Sequence, residues 1–310
     1  RKKAQLLAQI RAFFEARNVL EVTTPCVVEH PVSDLHIESV PLQTSTPHYL
    51  RTSPESAHKW LLAQGVGDIY ELGPVFRGGE LGAHHQPEFS LLEWYRVGMD
   101  WQTLALEVTE LINEMAKDLR SPWPIEWLTW TEACQQHLGQ DLDQAELSAL
   151  FDLLPTDQRA HAMGAQWSKD QLIDYLFATQ VQANFSPECI TIVHDYPATQ
   201  AALAELCTDP RYAKRFEVFV GPIELANGYQ ELTDAIEQRA RFEADQQSRL
   251  EQGLSVGPMD ERLLKALERG LPQCSGVAMG IDRLIMVLLD LDTIDETLSI
   301  GLHDALMPKN

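Results

Sequence analysis

Basic residues are scarce in this sequence. Lys and Arg total 24 against 46 Asp and Glu, a formal net charge of -22. A broad basic face for long nucleic acid is therefore disfavoured, because such binding draws on Lys and Arg to neutralise phosphates. A local basic pocket for a nucleotide remains compatible with the composition. Cysteine is also sparse: Cys26, Cys134, Cys189, Cys207 and Cys274 are scattered, odd in number and never spaced as C-x-x-C. That pattern argues against a disulfide framework or a structural zinc site and suits a reducing cytoplasm, each cysteine reading as a small buried hydrophobe. No apolar run approaches the roughly 20 residues of a spanning helix. The first residues do not read as a signal peptide, and no internal repeat or low-complexity tract is found. What remains is an ordinary globular balance of 45% hydrophobic and 23% charged residues in a chain of 310. That length suits one large catalytic domain or two average ones.

Periodicity sets out the organisation. KKAQLLAQIRAFFEARN places Leu6, Ile10, Phe13 and Phe14 at helical spacing. VLEVTTP reads as a short strand ended by Pro25, since proline cannot donate to a ladder. Residues 48–54 predict a strand that turns, and 55–64 a helix. IYELGPVFRGG runs from strand to loop, and HHQPEFSLLEWYRVG returns with Phe89, Leu91, Glu93 and Tyr95 on one face. An amphipathic helix fills 102–117. Over 119–185 the pattern weakens into short helical stretches, which we read as an insertion within a single domain spanning 1–310. Strands resume at 189–197 and 215–232. A polar helix follows over 233–252, a linker-like piece over 251–260, and a Gly-rich strand leading into an apolar helix over 275–291. Antiparallel-looking strands flanked by helices predict an α+β fold, with a sheet of six or seven strands.

Four features carry chemistry. FRGGELGAHHQPEF (76–89) sets Arg77 at a strand end, with a glycine-bearing loop, two histidines and a returning Phe89. Arginine's planar fork suits bidentate phosphate contact, and an aromatic ring can stack on a flat base. GVAMGIDR (276–283) delivers Arg283 at a helix start, an arrangement that suits an anion. Glu217 and Glu224 flank Gly221-Pro222, where a turn would bring the two carboxylates together around a hard divalent cation. RTSPES puts Glu55 at a helix start. Taken one by one, each also reads as a surface hairpin, a common Gly-x-x-x-Gly stretch, unrelated surface acids or a helix cap. Taken jointly, they suggest a nucleotide together with a cationic substrate.

In their order, these segments resemble the three motifs of class II aminoacyl-tRNA synthetases: VLEVTTP the first, VFRGGELGAHHQPEFSLLEWY the second and GVAMGIDRLIMVLL the third. RTSPE, HHQPEF and ELANGYQEL resemble the lysine-site segments of the lysyl branch. HDYPATQAALA and CSGVAMGIDRL extend the likeness over nearly the whole chain, closest to a truncated branch that attaches (R)-β-lysine to elongation factor P. The chain opens in the helix before the first motif, so no N-terminal OB-fold anticodon-binding domain is expected. Ala278 stands where the tRNA enzymes carry Gly, as in the protein-modifying branch.

The resemblance implies an ATP- and Mg²⁺-dependent ligase, a cytoplasmic homodimer with no stable tRNA binding and no membrane association. It would activate (R)-β-lysine or lysine as an adenylate and pass it to a lysine of elongation factor P. By the same likeness Arg77 holds the α-phosphate and the amino-acid carboxylate, and Arg283 the γ-phosphate. Phe89 and Arg283 sandwich adenine, with His85 beside the nucleotide, and Glu217 and Glu224 hold Mg²⁺. Asn227 touches the substrate carboxylate, Glu231 and Tyr95 the ε-ammonium, and Glu55 the other amino group. Ser53 and Ala278 complete the amino-acid slot. The second motif departs from its Arg-x-Glu pattern: Gly79 takes the Glu position and Glu80 comes one residue late. His84 stands for an Arg, Ala83 for another, and Gln86 for an Asn. Two alternatives stay open at this point, a lysyl-tRNA synthetase paralogue with another acceptor and a catalytically silent paralogue that binds lysine or a partner.

Overall fold

Prolines and polar runs keep the first strands short, and only after residue 68 does the chain run as long strands. The computed structural model describes residues 1–35 and 37–301. It opens with α1 (Lys2–Glu15), then β1 (Leu20–Glu21), β2 (Val27–Val28), β3 (Val40–Leu42), β4 (His48–Leu50) and α2 (Glu55–Ala63). The hairpin β5 (Ile69–Phe76) and β6 (Glu88–Val97) leads to α3 (Trp101–Ala116) and β7 (Ile125–Thr129). Helices α4 (Trp130–Leu138), α5 (Leu147–Leu153), α6 (Thr156–Gly164) and α7 (Lys169–Leu176) precede β8 (Ile190–Pro197) and β9 (Tyr212–Val220). The chain then gives β10 (Ile223–Gln230), α8 (Ala235–Glu251), α9 (Glu261–Gly270), β11 (Cys274–Gly280) and α10 (Ile281–Leu288).

These elements group into two compact units, residues 1–122 with 225–310, and residues 123–224. In the first unit the strand order is β1-β5-β6-β11-β10, and β2-β4-β3 form a separate small sheet. Its core gathers Phe14, Leu62, Ile69, Leu92 and Trp94, all essentially inaccessible to solvent. Phe14 stacks on Tyr70 at 4.4 Å between ring centroids. In the second unit the order is β9-β8-β7, packed with α4–α7 around Trp130, Leu172, Phe177 and Phe219. The boundary falls inside β10. The helical stretch expected over 119–185 lies in this second unit, which continues through β8 and β9.

Among the described residues eight strands carry these two orders, not six or seven, and two of their pairings are parallel. β1 runs parallel to β5, and β7 runs parallel to β8. A parallel pair needs a crossover connection of a dozen or more residues. Helices α4–α7 supply that connection between β7 and β8, which gives the weakly patterned segment a structural role. Helix α9 was also not anticipated. It is capped by the Asp260 side chain, which accepts from the Leu263 N–H at 2.9 Å. Leu263, Leu264 and Leu267 are buried, and the helix packs on α2. All five cysteines are free, Cys134 and Cys274 buried and the other three partly accessible. Among the described residues no helix is long and apolar enough to cross a membrane.

Candidate active site

The floor of the site is a face of the first unit's sheet. Glu93 on β6 lies opposite Ala278 on β11, which lies opposite Asn227 on β10. Two residues along, Tyr95 lies opposite Gly276 and Gly276 opposite Tyr229. The spacing of two puts both rows on one face. A Cβ at Gly276 would stand 2.3 Å from Tyr95 Cε1 and 2.4 Å from Glu231 Oε1. Only the missing side chain lets Tyr95 and Glu231 converge there, while Ala278 contributes a methyl group to the neighbouring row.

Over this floor sits α2. Ser53 Oγ accepts from the Glu55 N–H at 3.0 Å, which starts the helix, and donates to Glu93 Oε2 at 2.7 Å. The Tyr95 hydroxyl donates to Glu93 Oε1 at 2.8 Å. With its proton committed to Glu93, the Tyr95 oxygen can only accept, as a partner for an ammonium must. Lys59, fully buried, places its Nζ 2.7 Å from Glu55 Oε1 and 2.6 Å from Glu231 Oε2. The two acids assigned to different substrate amines are thus gathered around one lysine of the protein itself. Burial raises the pKa of Glu231, against the opposing pull of Lys59, and the charges of Glu55 and Glu93 raise it further. Glu55 is raised too, by burial first, with Lys59 lowering it and Glu93 raising it. Burial alone would lower Lys59, but its two carboxylates outweigh that and raise it.

Behind them lies a second buried set. His58 Nε2 is 3.0 Å from Glu71 Oε2, and Nδ1 is 3.5 Å from Glu93 Oε1. Arg51 Nη1 donates to Glu71 Oε1 at 2.8 Å, and the Thr24 hydroxyl to Oε2 at 2.7 Å. Burial opposes ionisation of Glu71, yet hydrogen bonds from His58, Thr24 and Arg51 hold its carboxyl down to about 2.

In the second-motif segment, Arg77 follows β5 and is half-buried, its guanidinium 5.2 Å from the Phe89 ring centroid. Glu80 turns back toward it, Oε1 lying 3.9 Å from Arg77 Nη1. Gly79 has φ +72°, and a Cβ there would lie 3.1 Å from Glu38 Oε2. A glutamate at 79 would be strained and would crowd a carboxylate already present. Arg283, near the start of α10, donates to the His84 carbonyl at 3.2 Å and contacts His85 Nε2 at 2.5 Å. Burial and then the Arg283 charge depress the His85 pKa, so a neutral ring accepts from the arginine. Asp282 fixes this end of α10: Oδ2 accepts from the Ser90 N–H at 2.7 Å and Oδ1 pairs with Lys3 at 2.6 Å.

Glu217 and Glu224 belong to the second unit, on either side of the turn at Gly221, where φ is +56°. Glu217 Oε2 accepts from the Tyr196 hydroxyl at 2.7 Å and Oε1 from Arg215 at 2.5 Å. Burial raises its pKa; Arg215 opposes that and the Glu224 charge adds to it. Two mutually repelling carboxylates are the donor chemistry a hard divalent cation relieves. No cluster of three or more such ligands occurs among the described residues, so phosphate and water would complete a shell.

The sequence pattern missed His58, Lys59, Arg51, Glu71 and the steric role of Gly276. A usable signal existed: charged residues at core positions of α2 and of otherwise apolar strands. The protein defined by this sheet, its three motif segments and its paired arginines is of synthetase type. The chain belongs to the class II tRNA synthetases (D, K and N), a family that matches residues 1–301. Its relatives include the elongation factor P–(R)-β-lysine ligase of Klebsiella pneumoniae (strain 342), 40% identical over 306 residues, or 96% of this chain and 93% of that protein. The proteins of the same name from Sodalis glossinidius and Proteus mirabilis are 41% and 40% identical, each alignment covering 98% of this chain and 95% of the relative.

Proposed function

We propose that this chain is an ATP-dependent ligase that activates (R)-β-lysine, or lysine less well, and attaches it to a lysine of elongation factor P. The observation that carries this reading is the convergence of Glu55, Glu93, Glu231 and Tyr95 around Lys59, over the side-chain-free position Gly276. Burying acids is costly without a cation; Lys59 already offsets part of that cost for Glu55 and Glu231, and the ammonium groups of a diamino acid would meet the remaining acceptor capacity of Glu231, Tyr95 and Glu55. In this reading Asn227 and Arg77 take its carboxylate. The names of the relatives support the same substrate and acceptor.

The substrate carboxylate attacks the α-phosphorus of ATP, the bond to the β-phosphate bridge breaks, and pyrophosphate leaves. Arg77 and Arg283 hold the phosphates in line, a matter of positioning and charge. Phe89 and Arg283 take the two faces of adenine, with Glu80 and His85 beside it. Glu217 and Glu224 would hold Mg²⁺, which would neutralise triphosphate charge. An acceptor ε-amine then attacks the acyl carbon, AMP departs, and the amine sheds a proton as the amide forms. We place this reaction in the cytoplasm, in a homodimer without stable tRNA binding.

Pyrophosphate exchange with (R)-β-lysine and with lysine tests the first half; no exchange with either overturns the enzyme reading. Transfer of labelled β-lysine to purified elongation factor P, set against tRNA, tests the second. Label on tRNA alone would make the protein a tRNA-charging enzyme.

A further inference from the structure

Two adjacent residues of α2, His58 and Lys59, each stand between a pair of buried carboxylates. Lys59 bridges Glu55 and Glu231, and His58 bridges Glu71 and Glu93. The histidine faces acids with both ring nitrogens. A neutral imidazole has one bare nitrogen, and that nitrogen would then confront a carboxylate oxygen in a site with no solvent. Doubly protonated, the ring hydrogen-bonds Glu71 through Nε2 and sets its Nδ1–H at ion-pair distance, 3.5 Å, from Glu93. The groups around it agree: Glu71 from β5, Glu93 and the edge of Tyr95 from β6, and on its own helix the mutually neutralising Glu55 and Lys59. Arg51 is spent on the other oxygen of Glu71. From α9, Arg269 lies over Trp60, on another side of α2.

We propose that His58 is a permanently charged positioning residue of the amine slot, holding Glu93 so that Tyr95 and Ser53 keep their hydroxyl protons turned away from the substrate. This rests on the reading of the slot as an amine site. Glu93 accepts from Ser53 on one oxygen and from Tyr95 on the other. If the imidazolium were lost, Glu93 would face Glu71 with no cation between them, and the hydroxyl geometry would loosen. The raised pKa of His58, where burial is outweighed by hydrogen bonds to Glu71 and Glu93, agrees with the geometry.

Histidine-selective ¹⁵N labelling of the full-length protein tests the charge directly. His58 should show two protonated nitrogens at pH 7 and remain so to pH 8 or above, whereas a neutral ring at pH 7 overturns the proposal. Kinetics test the positioning. His58→Gln and His58→Met should raise the KM for the amine roughly tenfold or more, with the KM for ATP within about twofold of its starting value. Equal loss for both substrates, or an unchanged amine KM in a folded variant, overturns it. Should no amine support pyrophosphate exchange, the functional reading fails, while the labelled spectrum still decides the state of His58.

Discussion

At the residue scale, the site depends on one absent side chain and on several buried charges. Gly276→Ala would drive a methyl group into Tyr95 and Glu231. We expect kcat/KM for the amino acid to fall by about 100-fold, because overpacking in a tight slot is not relieved cheaply. Steady-state kinetics beside a melting curve would check this; a folded variant with intact kinetics would remove the floor described above. Lys59→Met would leave Glu55 and Glu231 buried without their cation. A loss of about 3–5 kcal/mol in urea unfolding is expected, with partial recovery in the double variant Lys59→Met, Glu55→Gln. Glu71 gives a dependence on pH. Its folded carboxyl sits near 2 against an ordinary 4.5, so the stability it contributes is present above pH 4.5 and is lost as pH falls toward 2. Unfolding midpoints should decline across that window, and Glu71→Gln should flatten the decline.

At the scale of elements, α2, β6, β10 and β11 were readable because their periodicity is strong and their turns are marked by Pro and Gly. The long strand and apolar helix at Cys274–Leu288 fall close to where Gly spacing and the Leu/Ile stripe put them. The 119–185 stretch was readable only as short helices. Each buries a narrow face, and α5 and α6 have no side-chain cap. Where caps exist they hold firmly. Thr129 and Glu132 form a reciprocal capping box at α4, the Glu132 N–H donating to Thr129 Oγ1 at 3.1 Å. Thr129→Ala should cost about 1 kcal/mol of stability, seen by chemical denaturation, with pyrophosphate exchange unaffected. Helix α9 escaped notice because the polar run before it resembles a linker, although Leu263, Leu264 and Leu267 recur at helical spacing. The Gly79 departure is likewise explained locally: the left-handed turn strains any side chain, and a Cβ there would stand 3.1 Å from the Glu38 carboxylate.

On the scale of the whole molecule, the charge of -22 is a load on the compact state. Raising ionic strength shortens the screening length, which is already about 10 Å at 0.1 M salt. The melting temperature should therefore climb by a few degrees from low salt to about 0.5 M NaCl. A flat or falling response would mean that ion pairs, and not self-repulsion, dominate. By itself the sequence determined the family, the order of its motifs, the hairpins and the identity of the two arginines, because those signals are local in spacing and residue type. Tertiary structure alone decided that β1 runs parallel to β5 and β7 to β8, that Lys59 stands between Glu55 and Glu231, and that His58 links Glu71 to Glu93. Such facts depend on which side chains meet across strands far apart in the chain, and no local pattern encodes where a buried charge finds its partner.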